Sequence, residues 1–433
     1  MINDYFAFSA TEVGYNHTKI SKVCEDASDF YDDEKMHICV VADGHGSDNY
    51  PRTEYGSKYA VNAAIESVID FVNTADPKDV LKDNNNNYCM LNQLAKSILK
   101  AWYQSVEEDF NKRPFSEEEL SLVSEKYKRK YISDNEEERH IEKAYGCTLI
   151  LFAVTDEYSF GLQIGDGKCV YIDADGKFSE PIPWDENCQL NVTTSICDSD
   201  AIDEFRYFVT ENPPTAVFIG SDGIDDSYAS DEELYALYRS ILKIFIENGV
   251  DIGKSEIKEY LPVLTKKGSG DDVSVALIMD LQRALEIKTS FELQSEIFKL
   301  TEELIEKRTK KQSMISKQVF LSQKVRKWQQ TGDDINESIQ KCLKELNELK
   351  DIDCKLDEEI YSIQVRHDNL LENLKNLVYE EDSRDNDENL SEKSNDVDSS
   401  SNQQIHEFVE DKSRMEDDEA HEVIDGHTDT TSE

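Results

Sequence analysis

The chain has 433 residues, with 92 acidic against 47 basic side chains and a formal net charge of -45. A field of that sign repels nucleic acid and anionic membrane, so neither is expected as a partner. No apolar run reaches the roughly 18 residues of a membrane span, and the N-terminus shows no basic stretch leading into an apolar one, so a cytoplasmic location is expected.

Along the chain, short runs rich in Val, Ile, Phe and Cys predict strands over residues 37–42, 148–154, 159–164, 169–172, 216–219 and 273–279. Helical spacing predicts helices over 55–74, 90–111, 117–130 and 232–247. The stretch at about 75–143 is polar and helical, with an Asn run at 84–87, and is expected as an insertion before the strand at 148. The nine cysteines include no Cys-x-x-Cys pair, which argues against a disulfide framework or a zinc site and suits a reducing compartment.

From about residue 284 to 378 the texture changes: Gly332 is the only glycine and proline is absent. Ile339, Cys342, Leu346, Leu349, Leu356, Ile360, Ile363, Leu370, Leu374 and Leu377 recur at steps of four and three, with Ile335, Asp353 and His367 in the same seam. This is a coiled-coil pattern. A second seam through Leu293, Ile297, Leu300, Leu304, Val325 and Trp328 lies upstream of a break at Thr331-Gly332-Asp333-Asp334. Two arms around a break predict an antiparallel helical hairpin. A parallel dimer through the second arm is the alternative, and self-association or a docked partner is expected of either. Residues 379–433 hold 20 acidic and 4 basic side chains, and so little apolar surface that disorder is expected. The expected boundaries are therefore 1–282, 283–378 and 379–433.

Four acidic groups border predicted strands: Glu25-Asp26, Asp43-Gly44-His45-Gly46, Ser221-Asp222-Gly223-Ile224-Asp225-Asp226 and Gly270-Asp271-Asp272. One Asp-Gly after a strand is ordinarily a turn. Four of them at strand ends can converge on one spot, with glycine letting a carbonyl or an ion come close. Donors that are all oxygen suit a hard cation, Mg2+ or Mn2+.

These groups, with Gly165-Asp166-Gly167 and Tyr145-Gly146-Cys147-Thr148, resemble in order the motifs of the metal-dependent serine/threonine protein phosphatases, type 2C or PPM. Gly14-Tyr15-Asn16-His17 before Cys24-Glu25-Asp26-Ala27 is similar to divergent bacterial members. The resemblance spans roughly residues 5–280. It implies an α+β fold, a four-layer α-β-β-α sandwich with two central antiparallel sheets, here followed by the helical hairpin and the acidic tail. It implies Mn2+ or Mg2+ as cofactor, two ions with room for a third. Asp43 would bridge them, Asp222 and Asp271 would complete one site, and Glu25 with the Gly44 carbonyl would hold the other. Asp166 and Asp226 would fall at the third. The implied reaction is hydrolysis of phosphoserine or phosphothreonine in a phosphoprotein by a metal-activated water, with His45 as general acid. A cognate Ser/Thr kinase, or its substrate, is a partner that the helical stalk could dock. The alternative is a weakly active or inactive regulator that works through its coiled coil.

Three departures from the family pattern stand out. The arginine that grips phosphate four residues before the metal glutamate is Ser21 here, so Lys22 and His17, or Arg52, are the expected substitutes. Gly167-Lys168 replaces Ser-Arg. Asp272 stands where many members carry Asn, which is expected to add negative charge near the metals.

Overall fold

The computed structural model describes residues 5–82, 88–133, 135, 138–188, 192–331 and 336–389. Two antiparallel five-stranded sheets pack face to face. One runs β1 (Tyr5–Glu12), β10 (Val273–Asp280), β9 (Ala216–Gly220), β6 (Lys168–Ile172), β7 (Phe178–Ser179); the other runs β2 (Ala27–Asp32), β3 (Met36–Ala42), β4 (Leu149–Thr155), β5 (Ser159–Ile164), β8 (Arg206–Thr210). Both central strands are buried on both faces, which is why they read as unbroken apolar runs. In β4, Leu149, Leu151 and Ala153 point to the helices on one side, while Ile150, Phe152 and Val154 point to the facing sheet. In β10, Val273, Val275, Leu277 and Met279 face the other helical layer, and Ala276 and Ile278 face inward.

The helices are α1 (Tyr15–Ile20), α2 (Thr53–Thr74), α3 (Pro77–Leu81), α4 (Cys89–Lys112), α5 (Glu117–Leu122), α6 (Glu125–Tyr131), α7 (Ala201–Glu204), α8 (Asp222–Asp225), α9 (Asp231–Asn248), α10 (Val250–Lys267), α11 (Leu281–Glu286), α12 (Lys288–Thr331) and α13 (Asn336–Asn389). The first outer layer is α2 with the inserted α4. Trp102 of α4 is fully buried and its indole N–H donates to the Gly56 carbonyl at 3.0 Å. Gly56 has to be glycine: a Cβ there would lie 1.8 Å from the Tyr145 carbonyl oxygen. The second outer layer is α9 and α10, with Leu242, Phe245, Ile257 and Leu261 buried against the first sheet.

The expected strands all form. The expected helix over 117–130 is two helices, because Ser124 turns the chain out and its N–H donates to the Asn49 side chain at 3.1 Å. Helix α10 was not legible, since Gly253 and Pro262 interrupt its pattern. Gly253 serves packing: Phe245 ring carbons lie 2.4 Å from where its Cβ would be.

Helices α12 and α13 form an antiparallel hairpin. Leu321 and Val325 pack with Cys342, Leu346 and Leu349, and Leu300 and Leu304 pack with Ile363. Cross-helix ion pairs run in opposite order, with Lys317 on Glu345 at 2.8 Å, Lys307 on Glu359 at 2.5 Å and Arg366 on Glu296 at 3.4 Å. The root of α12 belongs to the sandwich: Ile287 and Phe291 are buried with the α9 layer, beyond the expected boundary at 282. Ile335 and the Asn run at 84–87 lie outside the described residues.

By its contacts the chain divides into residues 1–375 and 376–433. In the second unit α13 continues to Asn389. Part of the segment expected as an acidic tail, 379–389, thus lies within this helix. Residues 390–433 lie outside the described residues. Among the described residues, no helix is long and apolar enough to cross a membrane.

Candidate metal centre

Strand register assembles the site. Ala27 of β2 pairs with Ala42 of β3, so Glu25-Asp26 entering one strand and Asp43 leaving the other meet at the same end. Lys168 of β6 and Val275 of β10 both pair with Gly220 of β9, which sets Asp166, Asp222 and the Asp271–Asp272 loop around that end. Leu149 pairs with Ile164, which places Gly165-Asp166 beside Thr148. The Thr148 hydroxyl accepts from the Asp43 N–H at 3.1 Å, and the Thr148 N–H donates to the Asp43 carbonyl at 2.8 Å. Gly44 forms a β-bridge with Cys147, and its missing Cβ leaves room for the Glu25 carbonyl, which a Cβ would meet at 2.4 Å.

The carboxylates stand close enough to perturb one another. Burial pushes the Asp43 carboxyl well above the usual range, and Asp26, Asp222 and Asp166 add repulsion. Burial likewise raises Asp222 to about 6, against a hydrogen bond from Asp43 that acts the other way. Asp26 rises to about 8 by burial and by the Asp272 charge. Asp225 also rises to about 8 by burial, opposed by Lys168. Asp166 and Glu25 are raised too, in each case first by burial. Asp43 and Asp222 lie close enough to perturb each other, which raises Asp43 and lowers Asp222 against its burial. Buried carboxylate oxygens at Asp26 Oδ2 and Asp225 Oδ1 have no hydrogen-bond partner. An ion bound here would offset the mutual repulsion and satisfy such atoms, and an all-oxygen cluster fits Mn2+ or Mg2+. Asp226 and Asp271 stand at the exposed rim, where waters can complete a coordination shell.

Around the carboxylates the residues sort differently from expectation. Lys22 reaches the centre because α1 ends on Ser21 in the left-handed conformation, φ 56°. Its ammonium sits 2.7 Å from Glu25 Oε2 and donates to the Gly46 carbonyl at 2.8 Å. Arg52 is not available to a phosphate. It is buried, donating to Glu119 at 2.8 Å, Asp109 at 3.3 Å, the Tyr145 hydroxyl at 2.7 Å and the Pro114 carbonyl at 3.2 Å. That network ties α2 to the inserted helices.

The Asp272 carboxylate is also committed. It accepts from the Gly14 N–H at 2.5 Å, the Glu25 N–H at 2.6 Å and His17 Nδ1 at 2.9 Å. It joins three loops rather than adding free charge at the cluster. His17 thus faces Asp272, with Nε2 3.9 Å from Asp271 Oδ1. Lys168 does not reach into the centre as a free cation. It pairs with Asp231 and lies 3.9 Å from both Glu180 and Asp225.

His45 retains some exposed surface but is walled by Tyr50, at 4.7 Å between ring centroids, by the Gly146 backbone and by the neighbourhood of Cys197. Burial lowers its pKa to about 4, with Asp198 raising and Lys143 lowering it. Its imidazole is therefore neutral at pH 7, and cations beside it would lower the pKa further. Asp26 and Asp272 also stand at this end of the sandwich, where strand ends alone did not single them out. Their signal was the doubling of each acidic group: Glu25-Asp26, Asp271-Asp272.

The family model for protein phosphatase 2C matches residues 13–262. No curated protein matches the chain. Among solved structures, the chain is similar to PppA, a key regulatory component of T6SS in Pseudomonas aeruginosa, at 15% identity over 64% of this chain and 97% of that one, with TM-score 0.39. It is similar to the serine/threonine phosphatase Stp1 from Staphylococcus aureus at 16% identity over 63% and 94%, with TM-score 0.39. It is also similar to the catalytic domain of the serine threonine protein phosphatase PstP, in complex with two manganese ions, at 12% identity over 64% and 97%, with TM-score 0.38.

Proposed function

The chain belongs to the protein phosphatase 2C family, and from that premise we propose that it is a Mn2+- or Mg2+-dependent phosphatase of phosphoserine and phosphothreonine in proteins. The observation that supports this most is the gathering of Glu25, Asp43, Asp166 and Asp222 at one end of the sandwich, where burial, with repulsion from neighbouring carboxylates, raises the carboxyl pKa of each. In this reading Asp43, Asp222 and Asp271 would hold one ion, and Asp43, Glu25 and the Gly44 carbonyl would hold the other. Asp166 and Asp226 offer a third position. The ions would supply an activated water and neutralise phosphate charge. The chain's own residues do the rest. Thr148 and the β-bridge at Gly44 hold Asp43 in place, and Asp272 holds the Glu25 backbone. Lys22 is the cation positioned at the Glu25 edge to meet the substrate phosphate, as a point charge without the two-pronged grip of arginine. No proton transfer at neutral pH is assigned to His45.

A phosphoprotein substrate requires a kinase that makes it, so a Ser/Thr kinase is the implied counterpart. The acidic surface favours substrates with basic residues near the phosphate. The sandwich extends into the root of α12, and the hairpin beyond it is offered as the docking arm. A second reading, a weakly active regulator, draws on one observation: the Lys22 ammonium is tied to Glu25 Oε2 rather than free.

Phosphate release from a phosphothreonine peptide by the full chain, with Mn2+ and with chelator, separates the two. The enzyme reading expects Mn2+-dependent turnover that falls by 100-fold or more in Asp43→Asn. Equal rates for wild type and variant would leave only the regulator.

A further inference from the structure

His17 was expected, with Lys22, to touch the substrate phosphate, but its surroundings are wrong for that. A phosphate drawn to His17 would meet the Asp272 carboxylate 2.9 Å from Nδ1 and the Asp271 carboxylate 3.9 Å from Nε2. Two negative charges flanking the ring repel a dianion and attract a cation. His17, Asp271 and Asp272 also present ligand atoms that all lie within 4.8 Å of one another.

The imidazole is held as metal-binding histidines are held. Its Nδ1 points at the buried Asp272 Oδ1, so Nδ1 carries the proton and the Nε2 lone pair is left facing Asp271. The backbone around it is rigidly joined to the acidic loop. The Asn16 N–H donates to the Gly270 carbonyl at 2.8 Å and the Gly14 N–H donates to Asp272 Oδ1 at 2.5 Å. The Tyr15 N–H donates to the Thr265 hydroxyl at 2.9 Å, and that hydroxyl donates to the Asp271 carbonyl at 2.7 Å. Two donors about 2.1 Å from one ion stand about 3 Å apart at right angles and about 4.2 Å apart in line. The 3.9 Å between Nε2 and Asp271 Oδ1 falls inside that span.

We propose that His17 Nε2 is a ligand of the ion held by Asp271, with Asp272 as the positioning residue that fixes the imidazole's tautomer. The assignment rests on the metal-centre reading above and extends it from an all-oxygen donor set to one with a nitrogen. A nitrogen donor favours Mn2+ over Mg2+, because imidazole binds later, softer divalent ions better. It also gives Asp272 a reason to be a carboxylate, the stronger acceptor for an imidazole N–H.

The test uses the full chain loaded with less than one equivalent of Mn2+ and reads the ion itself by electron spin echo envelope modulation. The expected result is 14N modulation from a coordinated imidazole in wild type and its loss in His17→Gln, with Mn2+ still bound through the carboxylates. His17→Gln should weaken Mn2+ at least tenfold while changing Mg2+ binding less. Asp272→Asn should keep the 14N signal and weaken Mn2+ binding 10- to 100-fold, the range for loss of a carboxylate behind a histidine ligand. Bound Mn2+ without 14N modulation in wild type, or modulation that persists in His17→Gln, overturns the proposal and leaves the carboxylate centre standing. No Mn2+ binding at all removes the centre and the proposal with it.

Discussion

Asp222→Asn should stabilise the metal-free protein and abolish its stabilisation by Mn2+. The carboxyl of Asp222 is raised from 3.8 to about 6, chiefly by burial, so the folded chain keeps a proton that the unfolded chain has lost. Between those values the unfolded state binds fewer protons, and stability falls as pH rises through the window from about 4 to 6. Above pH 6 the whole penalty is present. At 1.36 kcal/mol for each pH unit the gap is worth about 3 kcal/mol, an upper figure because Asp222 keeps part of its surface in water. In a domain of 150–250 residues about 3 kcal/mol moves the melting midpoint by about 6–12 °C. The assay is differential scanning fluorimetry with chelator at pH 5 and pH 8. Wild type should melt lower at pH 8 than at pH 5, and the variant should narrow that gap while leaving the part that Asp26 and Asp225 contribute. With Mn2+ at 100 times its dissociation constant, wild type should gain about 2.7 kcal/mol, and the variant little. A variant that melts at or below wild type in chelator at pH 8 would refute the electrostatic reasoning.

Other outcomes follow from the same contacts. Lys22→Met should raise KM for a phosphopeptide and lower kcat/KM by about 10- to 100-fold, the worth of about 1.5–3 kcal/mol for a charged hydrogen bond, as read in steady-state kinetics. Arg52→Met should destabilise the fold by about 1.5–3 kcal/mol, the worth of a charged hydrogen bond, because Asp109 keeps Arg113 and Tyr145 while Glu119 and the Pro114 carbonyl lose a donor, measured by urea unfolding, with KM unchanged in the folded fraction. His45→Asn should leave the shape of the kcat/KM pH profile between pH 6 and 9 unaltered; loss of a limb of the profile would restore His45 as proton donor. A chain ending at residue 282 should be less stable than one ending at 304, because it loses the buried Ile287 and Phe291, each worth about 1.5–3 kcal/mol.

Most of the sandwich was legible because its central strands are buried on both faces, and runs such as Leu149–Thr155 and Val273–Asp280 show it as continuous apolar sequence. The edge strand β2 was not, since Asp29, Phe30 and Tyr31 stay partly or fully exposed and no apolar run marks it. Helix α10 hid behind Gly253 and Pro262, where packing against Phe245 outweighs local propensity. In the centre, Asp43, Asp222 and Asp166 could be placed because each leaves or follows a strand whose register is set by burial. The surroundings could not, because they depend on side chains meeting across long separations. Arg52 looked like a free cation until Asp109 and Glu119, 57 and 67 residues away, were seen to hold it. Asp272 looked like spare charge until Gly14 and Glu25 were seen to donate to it.

Anomalous diffraction at the manganese edge from crystals of the full chain grown with Mn2+ puts the central claim to its most direct test. Two peaks about 3.5–4 Å apart are expected, with Asp43 between them, Asp222 and Asp271 on one and Glu25 on the other. A single ion, or ions away from Asp43, would contradict it.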